Sequence, residues 1–244
     1  MTTTEREAIA TAPGALPPLR TKALSDALGV EALDVDLRET LSPARVAQLR
    51  EAWHQGLILL LRDQNLSEED QVRFAEYFGP LGKTLNVHNT GRHPAIMLVS
   101  NIRKDGKPIG ALPDDIKRRI DGRKALNAYD YDNAATFRGT RIRDGVPHYT
   151  HPVVRTHPAT GRKALYVNRL MTLAIEGLPE AESAALLDLL FDHQEQRRFV
   201  YEHVWHVGDI LMWDNRCTLH ARTDFSPDER RLMRRITILG EKPQ

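Results

Sequence analysis

The chain of 244 residues carries 34 Lys and Arg against 33 Asp and Glu, and 41% of its residues are hydrophobic. This size and composition are typical of a soluble globular protein with one large core. The formal net charge of +1 excludes a general attraction to nucleic acid or to an anionic membrane surface. Cys217 is the single cysteine, which excludes an internal disulfide, and the longest apolar run, 57–61, is too short to span a bilayer.

The N-terminal residues predict an arm outside the folded domain. Residues 1–21 are rich in Thr, Ala and Pro and lack hydrophobic periodicity, so we expect a loose arm there. Residues 22–244 are expected to form a single domain. The arm also lacks the apolar core of a signal peptide, which predicts a cytoplasmic protein.

Two helices are predicted in the first third of the chain. Ser42 as N-cap and Pro43 at the first helical position start the first helix, and Gly56 is expected to end it. The apolar run that follows predicts a buried strand. Ser67 and Asp70 stand in capping-box spacing and predict the start of the second helix.

Short strands and helices alternate in the rest of the chain. Helices are predicted at 112–122, with Ile116 and Ile120 facing inward, and at 178–194. The polar, aromatic stretch 129–152 lacks periodicity and is expected to be a loop. Apolar or alternating runs predict strands at 94–101, 151–157, 163–168, 208–214 and 231–240. The pattern predicts a mostly β fold with flanking helices.

The final strand pair places a histidine near two arginines. Ser-Pro-Asp at 226–228 is turn chemistry, so the chain is expected to double back and bring His220 opposite Arg231. Arg231 and Arg235 then share one strand face. Guanidinium groups match carboxylates or sulfonates, and a buried arginine pair needs such anions. The alternatives are a solvated surface cluster and an exposed strip that binds nucleic acid. The near-zero net charge and the absence of interleaved aromatic residues oppose the nucleic-acid alternative.

Several long motifs in this order resemble one enzyme family. They are "WDNRCTLH" at 213–220, "RRLMRRITILGEKP" at 230–243, "HPVVRTHPATGRKALYVN" at 151–168 and the segment 33–82. These motifs are similar to those of the taurine dioxygenase and 2,4-dichlorophenoxyacetate dioxygenase family. The resemblance covers most of the chain from about residue 22 onward.

The resemblance implies a fold, a reaction and roles for three residues. The family fold is a double-stranded β-helix, or jelly roll, that binds Fe(II) through two histidines and a carboxylate and leaves positions for 2-oxoglutarate and O₂. The implied reaction hydroxylates a small anionic organic substrate, a carboxylate or sulfonate, with release of succinate and CO₂. By this resemblance His220 is an iron ligand, Arg231 binds 2-oxoglutarate, and Arg235 binds the substrate. A homo-oligomer is also implied, whereas neither nucleic acid nor a membrane is.

The chain departs from the family at the other two iron ligands. They belong to an H-x-D motif, and none of the ten histidines here has Asp two places on. "HQE" at 193–195 fits H-x-E but lies far downstream of the expected position. We interpret residues 111–115 as the junction of an internal deletion that leaves the jelly roll incomplete. The alternative function is therefore an impaired or inactive member that binds a dicarboxylate or acts as an oligomer partner.

Another alternative uses different histidines for a metal. His148, His151 and His157 lie close together in sequence, and the first two have a spacing sometimes seen in metal sites. The competing interpretation is a structural strand, because relatives carry the segment 151–158 in that role.

Overall fold

The computed structural model describes residues 16–82, 96–100, 111–129, 141–222 and 233–241. The strands are β1 (Thr21–Ala23), β2 (Val30–Ala32), β3 (Ile58–Leu61), β4 (Ile96–Ser100), β5 (Lys124–Ala128), β6 (His148–Pro152), β7 (Val154–Thr156), β8 (Lys163–Leu165), β9 (Thr172–Ile175), β10 (Val200–Glu202), β11 (Ile210–Trp213) and β12 (Thr218–Arg222). The helices are α1 (Pro43–Gly56), α2 (Glu68–Glu76), α3 (Asp114–Ile120) and α4 (Glu180–Gln194), followed by a 3₁₀ turn at Arg197–Phe199. The prediction of a mostly β fold with helices is confirmed.

The first sheet has the strand order β1-β2-β3-β11. Strand β2 runs parallel to β3, while β1 pairs antiparallel with β2 and β11 antiparallel with β3. All four residues of β3 are buried, as its uniformly apolar sequence predicts. Leu49 and Trp53 of α1 pack with Leu59 and Leu61 in the core beneath this sheet.

The two predicted N-caps are confirmed, and α1 ends at Gly56 as predicted. Ser42 accepts a hydrogen bond from the backbone N–H of Arg45, and a capping box joins Ser67 to Asp70. At the other end of α1, Leu57 and not Gly56 takes the left-handed conformation, with φ of 65°. A Cβ on Gly56 would stand 3.1 Å from the Val30 side chain. This glycine is therefore needed for close contact with β2 and not for the turn.

Three smaller sheets complete the described β structure. Their orders are β10-β4-β12, β6-β5-β9 and β7-β8, and all of their strand pairs are antiparallel. Helix α4 packs against β9. Its residues Leu186, Leu187 and Leu190 join Ile116 and Ile120 of α3 in a second core, so the inward orientation predicted for the two isoleucines is confirmed.

Two local predictions differ from the structure. The C-terminal part of the expected loop 129–152 is strand β6, which pairs along β5. Because β6 is an edge strand whose first three residues are exposed, it shows no alternation of apolar and polar residues. In the expected strand 231–240, the described part forms an isolated bridge between Ile238 and Leu81, and residues 231–232 lie outside the described residues.

The structure describes residues 16–21 of the predicted N-terminal arm. Residues 1–15 of the predicted arm lie outside the described residues, and β1 begins at Thr21. Near the boundary, the Gln48 side chain donates a hydrogen bond to the carbonyl of Pro17. Within the described ranges, no helix has the length and apolarity needed to cross a membrane.

Leu187→Ala tests the contribution of α4 to the second core. The Leu187 side chain is fully buried, whereas Leu189 on the same helix is 39% exposed. We expect Leu187→Ala to lower the free energy of unfolding by about 2–5 kcal/mol, because it removes buried methyl groups and leaves a cavity. Leu189→Ala is the control and should change it by less than about 0.5 kcal/mol, both values being measured by urea unfolding. Equal effects of the two substitutions would contradict this packing.

Candidate active site

His220 lies on the strand that follows the turn 214–217. It is the central residue of β12, where it pairs with Leu98 of β4, and its ring lies 5.2 Å from that of Trp213. The ring is accessible to solvent, yet the surrounding protein removes part of its hydration. This desolvation and the positive charge of Arg235 lower the pKa of His220. The imidazole is therefore neutral near pH 7, the form that binds a metal.

Of the two candidate arginines, Arg235 lies within the described residues and Arg231 does not. Arg235 is exposed and is near enough to His220 for its charge to act on that imidazole. A cation beside a neutral imidazole suits an anionic ligand between them. Arg231 lies outside the described residues, so its predicted position opposite His220 and its shared face with Arg235 stay predictions.

A buried carboxylate holds the turn that precedes β12. Arg216 donates hydrogen bonds to Asp214 from Nε (2.8 Å) and Nη2 (2.6 Å). The main-chain carbonyl of Asp214 accepts from the backbone N–H of Thr218 at 2.9 Å and from its Oγ1 at 2.8 Å. The Asp214 N–H donates to the carbonyl of Leu57, at the end of α1. These bonds fix the path of the chain from β11 to β12, and hence the position of His220.

His157 is the second buried partner of Asp214. Its Nε2 lies 2.9 Å from Asp214 Oδ2, and its Nδ1 accepts from the backbone N–H of Thr160. An accepting Nδ1 places the ring proton on Nε2, so His157 is a neutral donor to the carboxylate. Burial opposes ionisation of Asp214, but hydrogen bonds from Arg216 and His157 outweigh it and hold the pKa of Asp214 well below its ordinary value of 3.8.

One group in the described ranges has the composition of a metal site. The ligand atoms of His157, Asp214 and Cys217 lie within 4.8 Å of one another. However, Asp214 already pairs with the Arg216 cation, and His157 presents a proton to it. Burial raises the pKa of the Cys217 thiol, so the sulfur is not the thiolate that metals require. We assign the group to structure.

The other histidine alternatives do not form a metal site either. His148 is exposed and contacts the carbonyl of Val146, and the His151 ring packs against Tyr149 and Tyr166. Neither belongs to the metal-competent group found in the described ranges. In the H-x-E pair, His193 is buried and packs against Phe199, while Glu195 pairs with Arg169, so both side chains have structural contacts.

Comparison with known proteins identifies the family. The family described as "Taurine catabolism dioxygenase TauD, TfdA family" matches residues 20–110 and 109–237. The alpha-ketoglutarate-dependent 2,4-dichlorophenoxyacetate dioxygenase of Cupriavidus pinatubonensis is 31% identical over 282 aligned residues, covering 88% of this chain and 95% of the relative. The alpha-ketoglutarate-dependent sulfate ester dioxygenase of Pseudomonas putida is 27% identical, covering 97% and 94%. The chain therefore belongs to the TauD/TfdA family of dioxygenases.

Solved structures agree with this assignment. A taurine dioxygenase from Burkholderia xenovorans matches with a TM-score of 0.76 and 28% identity, covering 93% of this chain and 91% of that one. AAD-2 in complex with Mn(II) and N-oxalylglycine matches with a TM-score of 0.76 and 25% identity, covering 92% and 98%. The fold is thus of the jelly-roll type of these oxygenases, whose chemistry uses Fe(II), 2-oxoglutarate (alpha-ketoglutarate) and O₂.

The residues described here do not complete the iron site of that family. Among them the candidate His220 offers one imidazole, and the metal-competent group of three lies elsewhere, around Asp214. A facial triad needs a second imidazole and a carboxylate beside the first. The described residues by themselves therefore do not fit a bound iron.

Sequence reasoning missed the hydrogen-bond network of Asp214, Arg216 and His157, which holds the turn before His220. Asp214 and Arg216 stand inside the quoted motif "WDNRCTLH", and His157 stands inside "HPVVRTHP". The Asp-x-Arg spacing was a usable signal, because an aspartate and an arginine two residues apart can form a paired turn. Nothing in the sequence indicated that His157, 57 residues earlier, is the third member.

Asp214→Asn tests whether the buried carboxylate holds the turn. Asp36 and Arg38 form the same Asp-x-Arg pair, but the Asp36 side chain is 40% exposed, compared with 3% for Asp214. We expect Asp214→Asn to lower the free energy of unfolding by about 3–5 kcal/mol, because the partly buried Arg216 loses the carboxylate that it binds most closely. Asp36→Asn is the matched control and should have a much smaller effect in the same urea titration. Similar losses in both variants would contradict a special role for Asp214.

The pH dependence of stability gives a second test of the same carboxylate. Because folding lowers the pKa of Asp214 below 3.8, its stabilisation is fully present above that pH and is lost as the pH falls below it. We expect the wild-type free energy of unfolding to fall more steeply below about pH 4 than that of Asp214→Asn. Parallel curves for the two proteins, measured by urea unfolding at successive pH values, would show that Asp214 does not titrate in this way.

Proposed function

We propose that this protein is an Fe(II)- and 2-oxoglutarate-dependent dioxygenase that hydroxylates a small organic anion, a carboxylate or sulfonate, with release of succinate and CO₂. The observation that carries the proposal is the match of the TauD/TfdA family to residues 20–110 and 109–237, and the effect of the Arg235 charge on the His220 imidazole agrees with it. Relatives named for 2,4-dichlorophenoxyacetate and for sulfate esters support an anionic substrate.

The chain's own residues have distinct roles in this proposal. His220 offers a ligand nitrogen from strand β12. Arg231 binds the distal carboxylate of 2-oxoglutarate, and Arg235 binds the anionic group of the substrate, since a guanidinium offers paired donors to two oxygens. Iron, when bound, supplies the activation of O₂. The domain proposed to contain the site is 22–244, in a cytoplasmic protein that forms a homo-oligomer.

A second candidate is a member that binds a dicarboxylate without turnover. It is favoured by the missing H-x-D motif and by our interpretation of residues 111–115 as a deletion junction. Two findings are consistent with that interpretation. The family match divides at residues 109–110. The alignment with the Cupriavidus relative is longer than this chain although it covers only 88% of it, so the relative has residues where this chain has gaps.

Anaerobic titration with Fe(II) and 2-oxoglutarate, followed by addition of O₂, separates the two candidates. The dioxygenase gives a visible absorption band and then succinate, whose yield rises with aryloxyacetates, alkyl sulfates or sulfonates as trial substrates. The second candidate gives no succinate at high iron, but binds 2-oxoglutarate by calorimetry and loses that binding in Arg231→Ala. If the protein forms no succinate and does not bind 2-oxoglutarate, both candidates are contradicted.

His220→Ala tests the proposed ligand. We expect it to reduce succinate formation by more than about 100-fold. Mutation of a residue that only hydrogen-bonds to a metal ligand already lowers metal affinity or activity by about 10–100-fold, and loss of the ligand itself should cost more. His148→Ala is the matched control, since His148 is also exposed and on a strand, and it should keep wild-type activity. Equal activity of His220→Ala and wild type would remove His220 from the site.

A further inference from the structure

Two arginines far apart in sequence meet one glutamate near the C-terminus. Arg155 of β7 donates from Nη2 to Glu241 Oε1 at 3.2 Å, and Arg216 Nη1 lies 3.8 Å from the same oxygen. Arg155 is 3% exposed, whereas the Glu241 side chain is 51% exposed. We call these three residues the Glu241 clamp.

Arg155 makes the clamp more than an ordinary surface ion pair. A buried guanidinium without a counter-charge is strongly destabilising. The Tyr166 ring lies 5.2 Å from the Arg155 guanidinium carbon, but a ring offers only a partial negative charge. In the described part of the chain, Glu241 is the carboxylate that pairs with Arg155. Because the buried Arg155 needs the carboxylate of Glu241, this pair stabilises the C-terminal segment in the position seen in the structure.

The segment 233–241 has other polar attachments, among them hydrogen bonds from Arg234 Nη2 to the carbonyl of Leu66 and from the Gln71 side chain to the carbonyl of Arg234. Ile238 bridges to Leu81, and hydrogen bonds join Thr237 to Gly82 and Leu239 to Pro80. Leu239 is 55% exposed. With little apolar burial to hold it, such a segment depends on its polar anchors. Arg235, the candidate substrate arginine, lies within this segment.

Arg216 connects this clamp to the turn before His220. The same guanidinium that lies beside Glu241 through Nη1 binds the Asp214 carboxylate through Nε and Nη2. Its guanidinium carbon also lies over the Trp53 ring of α1 at 5.7 Å. One side chain thus contacts the framework that positions β12 and the segment that carries Arg235.

We infer that Glu241 is a positioning residue: through Arg155 and Arg216 it holds the segment 233–241, with Arg235, in register with the turn and strand that carry His220. The structural link stands by itself. Its meaning for ligand binding rests on the proposed function, in which Arg235 and His220 belong to one site.

Hydrogen–deuterium exchange of the full-length protein tests the structural link. Glu241→Gln removes the clamp charge, and Glu202→Gln is the matched control, because Glu202 also pairs with an arginine and its side chain is also 51% exposed. We expect Glu241→Gln to increase exchange by about fivefold in 233–241 and also in 214–222, as the loss of a charge-assisted contact implies. Glu202→Gln should leave both segments unchanged. Increased exchange in 233–241 alone would overturn the inference.

Binding of 2-oxoglutarate and of trial anions tests the functional meaning. By calorimetry, we expect a larger dissociation constant for Glu241→Gln than for wild type, and an intermediate value for Glu241→Asp. Glu202→Gln is again the control: its melting temperature should match that of Glu241→Gln, so that a difference in binding does not reflect a difference in stability. Unchanged dissociation constants in a wild type that binds would overturn the positioning role. A wild type that binds none of these ligands would instead overturn the proposed function, and hydrogen exchange would still decide the structural link.

Discussion

The structure around the candidate site depends on one buried ionised carboxylate, that of Asp214. An ion at 3% exposure is stable only when donors surround it, and here Arg216, His157 and the turn itself supply them. Asp214 therefore joins the loop after β7 through its carboxylate and the end of α1 through its backbone N–H, next to the strand that carries His220. The location of a single charge decides where the candidate ligand is placed.

This constraint also explains why the only metal-competent group in the described ranges is not the active site. Asp214 and His157 have the residue types of an iron site, but their donors and acceptors are satisfied by each other and by Arg216. His220, in contrast, lies at an accessible position, with its pKa lowered and a cation nearby. Groups satisfied by each other hold a fold together, whereas an accessible neutral imidazole can accept a ligand.

The sequence predicted the elements whose signals are local. Caps at Ser42 and Ser67 and the apolar run of β3 were all correct, since each depends on neighbours within one turn or strand. Strand β6 was missed because its exposed residues show no alternation of apolar and polar side chains. It is defined by its pairing with β5, which its own sequence does not indicate. Gly56 was correctly predicted to end α1, but its close contact with Val30 could not be predicted, because Val30 lies on a neighbouring strand.

In the candidate site too, motifs within one segment could be predicted, whereas contacts between distant segments could not. The resemblance carried His220, Arg231 and Arg235 onto the chain by motif, and the nearness of Arg235 to His220 agrees with it. The links among His157, Asp214, Arg216 and Glu241 could not be predicted, because they join residues from distant parts of the sequence through contacts that leave no periodic pattern. The lack of H-x-D was visible in the sequence, and it leaves the metal as the central question.

A crystal structure of this chain grown with Mn(II) and N-oxalylglycine, the pair seen in the solved AAD-2 complex, tests the account most directly. We expect Mn(II) bound to the imidazole of His220, with the N-oxalylglycine carboxylate on Arg231. Mn(II) bound among His157, Asp214 and Cys217, or N-oxalylglycine bound away from His220, would contradict it.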